Sequence, residues 1–146
     1  MGWRRVLPTI LAVVGAVLVW LPLLVAIAIP VVVFTQTGVF YYANIYLMPA
    51  EYFPLGLLGC GLLLWAALLT RQRRQLVGAG FAAAIAFLVV SQVLLVLTGL
   101  SSGRAEWAGW RLSAVLFALV GYDLAVLATG VGGILLLFDL AQTRNL

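Results

Sequence analysis

The chain alternates between long, almost uninterrupted apolar runs and short polar breaks. The runs cover residues 6–34, 53–70, 76–100 and 112–138. Each has the roughly 20 apolar residues that a helix needs to cross the hydrocarbon core of a bilayer. In lipid the backbone must satisfy its own hydrogen bonds, so such runs predict helices. The pattern therefore predicts an all-α integral membrane protein of four transmembrane helices, filling residues 1–146 as a single membrane domain. Short connections make an up-down-up-down antiparallel bundle the expected arrangement. Pro54 fits the first turn of the second span, where a proline is tolerated, and Pro22 lies inside the first, where it removes an intrahelical hydrogen bond. The triplet Ala26-Ile27-Ala28 resembles a leader cleavage site, but the apolar stretch before it is longer than the usual leader core, so the segment reads as a span.

The polar breaks differ in kind. Residues 35–52 form an aromatic segment with Tyr41, Tyr42, Tyr46 and Tyr52 and no arginine, suited to the headgroup level. Residues 71–75 read Arg71-Gln72-Arg73-Arg74-Gln75, residues 101–111 hold Arg104, Glu106 and Arg111, and residues 139–146 form the tail. Arg4, Arg5, Arg71, Arg73, Arg74 and Arg144 fall on one side of the expected bundle, against Arg104 and Arg111 on the other. The positive-inside rule then predicts cytoplasmic N and C termini and a multi-pass chain in the cell membrane. The aromatic segment and the 101–111 loop face outward, where Glu51 could pair with Arg104 or Arg111. Arg71, Arg73 and Arg74 can also hold lipid headgroups or clamp Asp139.

Composition sharpens this picture by exclusion. The 146 residues are 66% hydrophobic and 8% charged, with a mean hydropathy of +1.23. That leaves no room for a soluble domain. There is no histidine, so a bis-histidine haem, a histidine-ligated metal or a histidine acid/base catalyst cannot be built from this chain. The single Cys60 cannot form an internal disulfide or a redox pair. No phosphate-binding glycine loop or hydrolase nucleophile motif occurs. No cofactor, metal or nucleic-acid partner is expected; the net charge of +4 belongs to membrane anchoring. All eight basic residues are arginine, which together with abundant Ala, Gly and Val points to a GC-rich, prokaryotic coding sequence.

Helices in lipid meet through small residues and polar groups. The fourth span carries Gly121, Ala125, Ala128 and Gly132 on one face, the expected packing stripe. Gly78, Ala82 and Ala86, with Gly80 and Ala84 adjacent, do the same in the third span; the second has Gly56, Gly59, Cys60 and Gly61, and the first Ala12, Gly15 and Ala16.

Asp123 stands apart. Beside Tyr122 and well inside the fourth span, a carboxylate costs about 2.5 to 3.5 kcal/mol on insertion scales unless it finds a partner or a proton. Ser91 and Gln92 of the third span are candidate partners, with an Asp123–Gln92 hydrogen bond as the simplest arrangement. Asp123 could instead serve a proton or ion site, or a contact between subunits. The expected function is that of a small non-catalytic accessory or scaffold subunit, surrounded by membrane lipids and packed against other membrane-protein subunits or its own copies. The alternative is a small oligomeric transporter or proton/ion-conducting protein that uses Asp123. The four acids Glu51, Glu106, Asp123 and Asp139 do not form a visible catalytic pair, so an enzyme is not expected.

Overall fold

The computed structural model of the chain describes residues 2–38, 52–100, 102–103 and 109–144. These residues form four helices and no strand: α1 (Trp3–Thr37), α2 (Tyr52–Thr70), α3 (Arg74–Leu97) and α4 (Gly109–Arg144). All four are long and apolar enough to cross a membrane. At about 1.5 Å per residue, α3 extends about 36 Å and α2 only about 28 Å, whereas α1 and α4 exceed 50 Å. The tyrosine-rich segment from Val39 to Glu51 and the 104–108 stretch, with Glu51, Arg104 and Glu106, lie outside the described residues.

The helix ends follow from local chemistry. Gly38 closes α1 in the left-handed region, its N–H donating to the Phe34 carbonyl at 2.9 Å. At the end of α2 the Thr70 hydroxyl donates back to the Ala66 carbonyl at 2.9 Å. The turn into α3 is only three residues long and takes Arg71 and Arg73 to φ values of 58° and 52°. A β-carbon makes that conformation costly, and glycine or asparagine would be the usual choice.

Helix α1 packs along α2 and α3 along α4; α4 also touches α1 and α2, α2 touches α3, and α1 and α3 do not meet. In cross-section the four helices make a rhomb with α2 and α4 across the short diagonal. The α1/α2 seam is a crossing of two glycines. A β-carbon on Gly59 would lie 2.8 Å from the Val19 backbone nitrogen and 2.9 Å from the Gly15 carbonyl oxygen. Backbone against backbone leaves nothing to move aside. The α3/α4 seam closes at Gly80, where a β-carbon would overlap the Thr129 hydroxyl and approach the Thr129 nitrogen at 3.3 Å. Thr129 is fully buried, donates to the Ala125 carbonyl at 2.9 Å and lies within reach of the Cys60 thiol of α2. Three helices therefore converge on one threonine.

The buried face of α4 differs from the small-residue stripe expected of it. Gly121, Ala125 and Gly132 do lie towards α3, against Phe87, Gly80 and Val77 respectively, but Ala128 is exposed. The face that sinks into the bundle is centred on Tyr122 and Thr129, with Val115, Ala118, Val126 and Leu136. At 100° per residue this centre lies about 80° from that of the stripe. The physical reason is that α4 contacts three helices rather than one: small residues serve the α3 seam on one flank, while Tyr122 and Val126 fill the space in front of α2 and α1. A similar rotation affects α3, where Gly80 and Ala84 are buried while Ala82 and Ala86 are exposed.

Candidate functional site

Pairwise contacts fix the depth of Asp123. Along the α3/α4 seam Val77 meets Gly132, Gly80 meets Thr129 and Phe87 meets Gly121. Interpolation sets Asp123 level with about Ala86, the middle of α3. Asp123 thus sits level with the centre of α3, whose length of about 36 Å is close to the thickness of a bilayer core.

Its direction follows from the rotation of α4. Tyr122 points into the core and is 1% exposed. Its ring packs edge-on against Phe53 of α2 with centroids 5.2 Å apart at 80°, and its hydroxyl donates to the Phe53 carbonyl at 3.4 Å. One residue on, Asp123 is carried about 100° round the helix and emerges half-buried on the α1 side. There it lines a groove of about 520 Å³ between α1 and α4, with Trp20, Leu24, Ile27 and Phe34 of α1 and Leu127 of α4 among its walls. Among the described residues α2 does not reach the far part of this groove. Gly59 meets Val19 and Leu63 meets Gly15, so the start of α2 is level with about Val25. Beyond that point α1 has α4 as its described neighbour and no α2. Residues 24–29 and 31–37 are accordingly exposed or half-buried, whereas Ala12, Gly15, Ala16, Val19, Pro22 and Leu23 are buried.

This arrangement separates residues that the sequence grouped together. Gln92 is exposed on α3, and α3 does not line the groove, so no Asp123–Gln92 hydrogen bond forms. Ser91 is buried and donates to the Leu88 carbonyl at 2.7 Å within its own helix. Among the described residues, neither Asp123 nor Gln92 has a hydrogen bond or ion pair. The residue missed from sequence is Trp20. Its indole nitrogen is buried without a hydrogen-bond partner, 3.2 Å from the β-position of Gly130. A tryptophan in the interior of an apolar run, away from the interfacial belts, was the available signal.

At the other end of the bundle Arg73 donates through Nε to the Asp139 carboxylate at 2.9 Å, with both side chains partly exposed. The bond and the charge of Asp139 hold the Arg73 guanidinium above its ordinary pKa. Arg71 and Arg74 are exposed beside it. The α2–α3 turn and the end of α4 thus share one side of the bundle. Arg111, near the start of α4, lies 5.9 Å from the Trp110 ring. Among the described residues no group of three metal-ligating side chains occurs.

The chain matches no family model, no curated protein and no solved structure.

Proposed function

We propose that the chain is a non-catalytic membrane protein of the accessory or scaffold type, which works by packing against other membrane helices. The observation that carries this reading is the direction of its polar side chains. The core hydroxyls of Ser91, Thr129 and Tyr122 are satisfied within the chain, whereas the Gln92 and Asp123 side chains face away from it without partners. A polar group turned towards lipid is satisfied by a neighbouring helix. In this reading the helices run up-down-up-down, with both termini on the arginine-rich cytoplasmic side of a cell membrane. The falling register of the α1/α2 and α3/α4 contacts and the Arg73–Asp139 pair support it. The test is native mass spectrometry of protein extracted gently from its own membranes. The wild type should run above its 15.7 kDa chain mass, and Gln92→Leu should run at it. A wild type that flies as a bare single chain would sink the proposal.

A second reading is a small transporter or proton/ion-conducting protein, favoured by the groove that places one carboxylate at mid-depth between α1 and α4. Proton flux into proteoliposomes, lost in Asp123→Asn, tests it.

A further inference from the structure

We infer that the α1/α4 groove is a binding site for a monovalent hydrophobic organic cation, with Asp123 as its counter-ion. The inference rests on the second reading above and names the class of molecule that this site would take.

Two further grooves indent the surface of the described helices. Those between α3 and α4, about 340 Å³, and between α2 and α3, about 490 Å³, are lined by apolar side chains alone, and acyl chains suit them fully. The α1/α4 groove has a similar size, within the range of small-molecule sites, and similar aliphatic walls, but it contains a carboxylate. An acyl chain there would cover Asp123 and leave its charge unpaired, at the cost that keeps such residues rare in spans.

Nothing in the described chain supplies the missing charge. Between Val6 and Thr37, along α2, and from Gln75 to Leu97 there is no basic residue. The nearest arginine on α4 is Arg111, about 18 Å along the helix axis and beside Trp110; Arg73 is engaged with Asp139. Among the described residues, then, none neutralises Asp123, and the complement that suits the groove is apolar everywhere except at its charge. A metal ion does not fit. Hard cations need six or more oxygen ligands, and the groove offers one carboxylate.

The aromatic walls agree with an organic cation. Trp20 lies at one end of the groove and Phe34 at the other, fourteen residues or about 21 Å apart along α1. Asp123 falls between them. Each ring lies about 10 Å along the axis from the level of Asp123, so a cation paired with the carboxylate would reach them with its apolar substituents. Among the described residues α2 leaves the far part of the site open towards lipid, where such a molecule would partition.

The experiment uses the full-length protein in nanodiscs at pH 8, with tetraphenylphosphonium as probe, followed by equilibrium dialysis against empty discs. Saturable binding at about one per chain is expected. Asp123→Asn should weaken it at least tenfold, and Leu127→Trp, which fills the groove without touching the charge, should weaken it as well. Both variants should keep wild-type circular dichroism and elution. Neutral triphenylphosphine should not compete. Binding that is unchanged in Asp123→Asn, or no saturable binding above empty discs, overturns the proposal. So does a disulfide between two copies carrying Val120→Cys in a Cys60→Ser background, if it forms quantitatively and the discs take up no probe, since the groove would then belong to a dimer. Proton flux that depends on Asp123 without probe binding removes the cation site and leaves the transport reading standing. Probe binding without flux keeps the site and removes transport.

Discussion

At the scale of single residues, adjacent positions on α4 have opposite fates. Tyr122 is held by an edge-on ring contact and one long hydrogen bond at 3.4 Å. Hydrogen bonds between membrane helices average about 0.6 kcal/mol, so Tyr122→Phe should cost about that much. Tyr122→Ala opens a cavity between α2 and α4 and should cost about 3 kcal/mol or more. Reversible unfolding in mixed micelles measures both; equal losses would show that the hydroxyl, not the ring, holds the helices. A second residue-scale expectation concerns the turn. Arg71 has φ of 58° and no ion pair among the described residues, so Arg71→Gly should raise stability by about 1 kcal/mol, as the same unfolding curves would show. Arg73 and Arg74 remain to orient the chain. A loss of stability would mean that the Arg71 side chain contributes more than its backbone costs.

At the scale of helices, the two seams differ in what a methyl group would meet. Gly59→Ala drives a β-carbon into the backbone of α1, and no side-chain change can relieve it. Gly80→Ala meets the hydroxyl of Thr129 first. Each should destabilise by about 1 to 3 kcal/mol, the usual cost of overpacking, but Thr129→Ala should recover part of the loss at Gly80 and none at Gly59. Thermal unfolding of the two double variants makes the comparison. Equal recovery at both sites would contradict the seams described here. These seams also show what could be read beforehand. The four spans were legible because a bilayer imposes length and apolarity on every helix that crosses it, and the small residues of α1 with Gly56, Gly59 and Cys60 of α2 lay on contact faces, while Gly61 faces open space. The rotation of α4 was not legible, since Gly121, Ala125, Ala128 and Gly132 mark where a helix can approach closely, whereas the buried face depends on how many neighbours surround it. Asp123 lies about 200° round α4 from Gly121, so helical spacing already turned it away from the seam with α3; that α1 supplies the walls facing it could not be read from spacing alone.

At the scale of the molecule, orientation is the expectation with most consequences. In a Cys60→Ser background, a cysteine at Gln72 should be modified by an impermeant maleimide only after the cells are opened, and one at Ser102 in intact cells. The reverse pattern would invert the proposed topology and place the Arg73–Asp139 pair outside. The two positions discriminate because Gln72 and Ser102 lie beyond opposite ends of α3, whose 24 residues are enough to cross a membrane once.

The short α2 has a consequence for the surrounding lipid. Among the described residues, helices of about 28 Å and about 52 Å stand side by side, so the hydrophobic girdle that these helices form has a step in it. Lipids against α2 must thin or tilt to meet its upper end, while those around α1 must stretch or α1 must lean. Such a step makes the cost of insertion depend on membrane thickness. Unfolding measured in bilayers of increasing acyl length should show a stability optimum, and lengthening α2 by two turns should move it towards thicker bilayers.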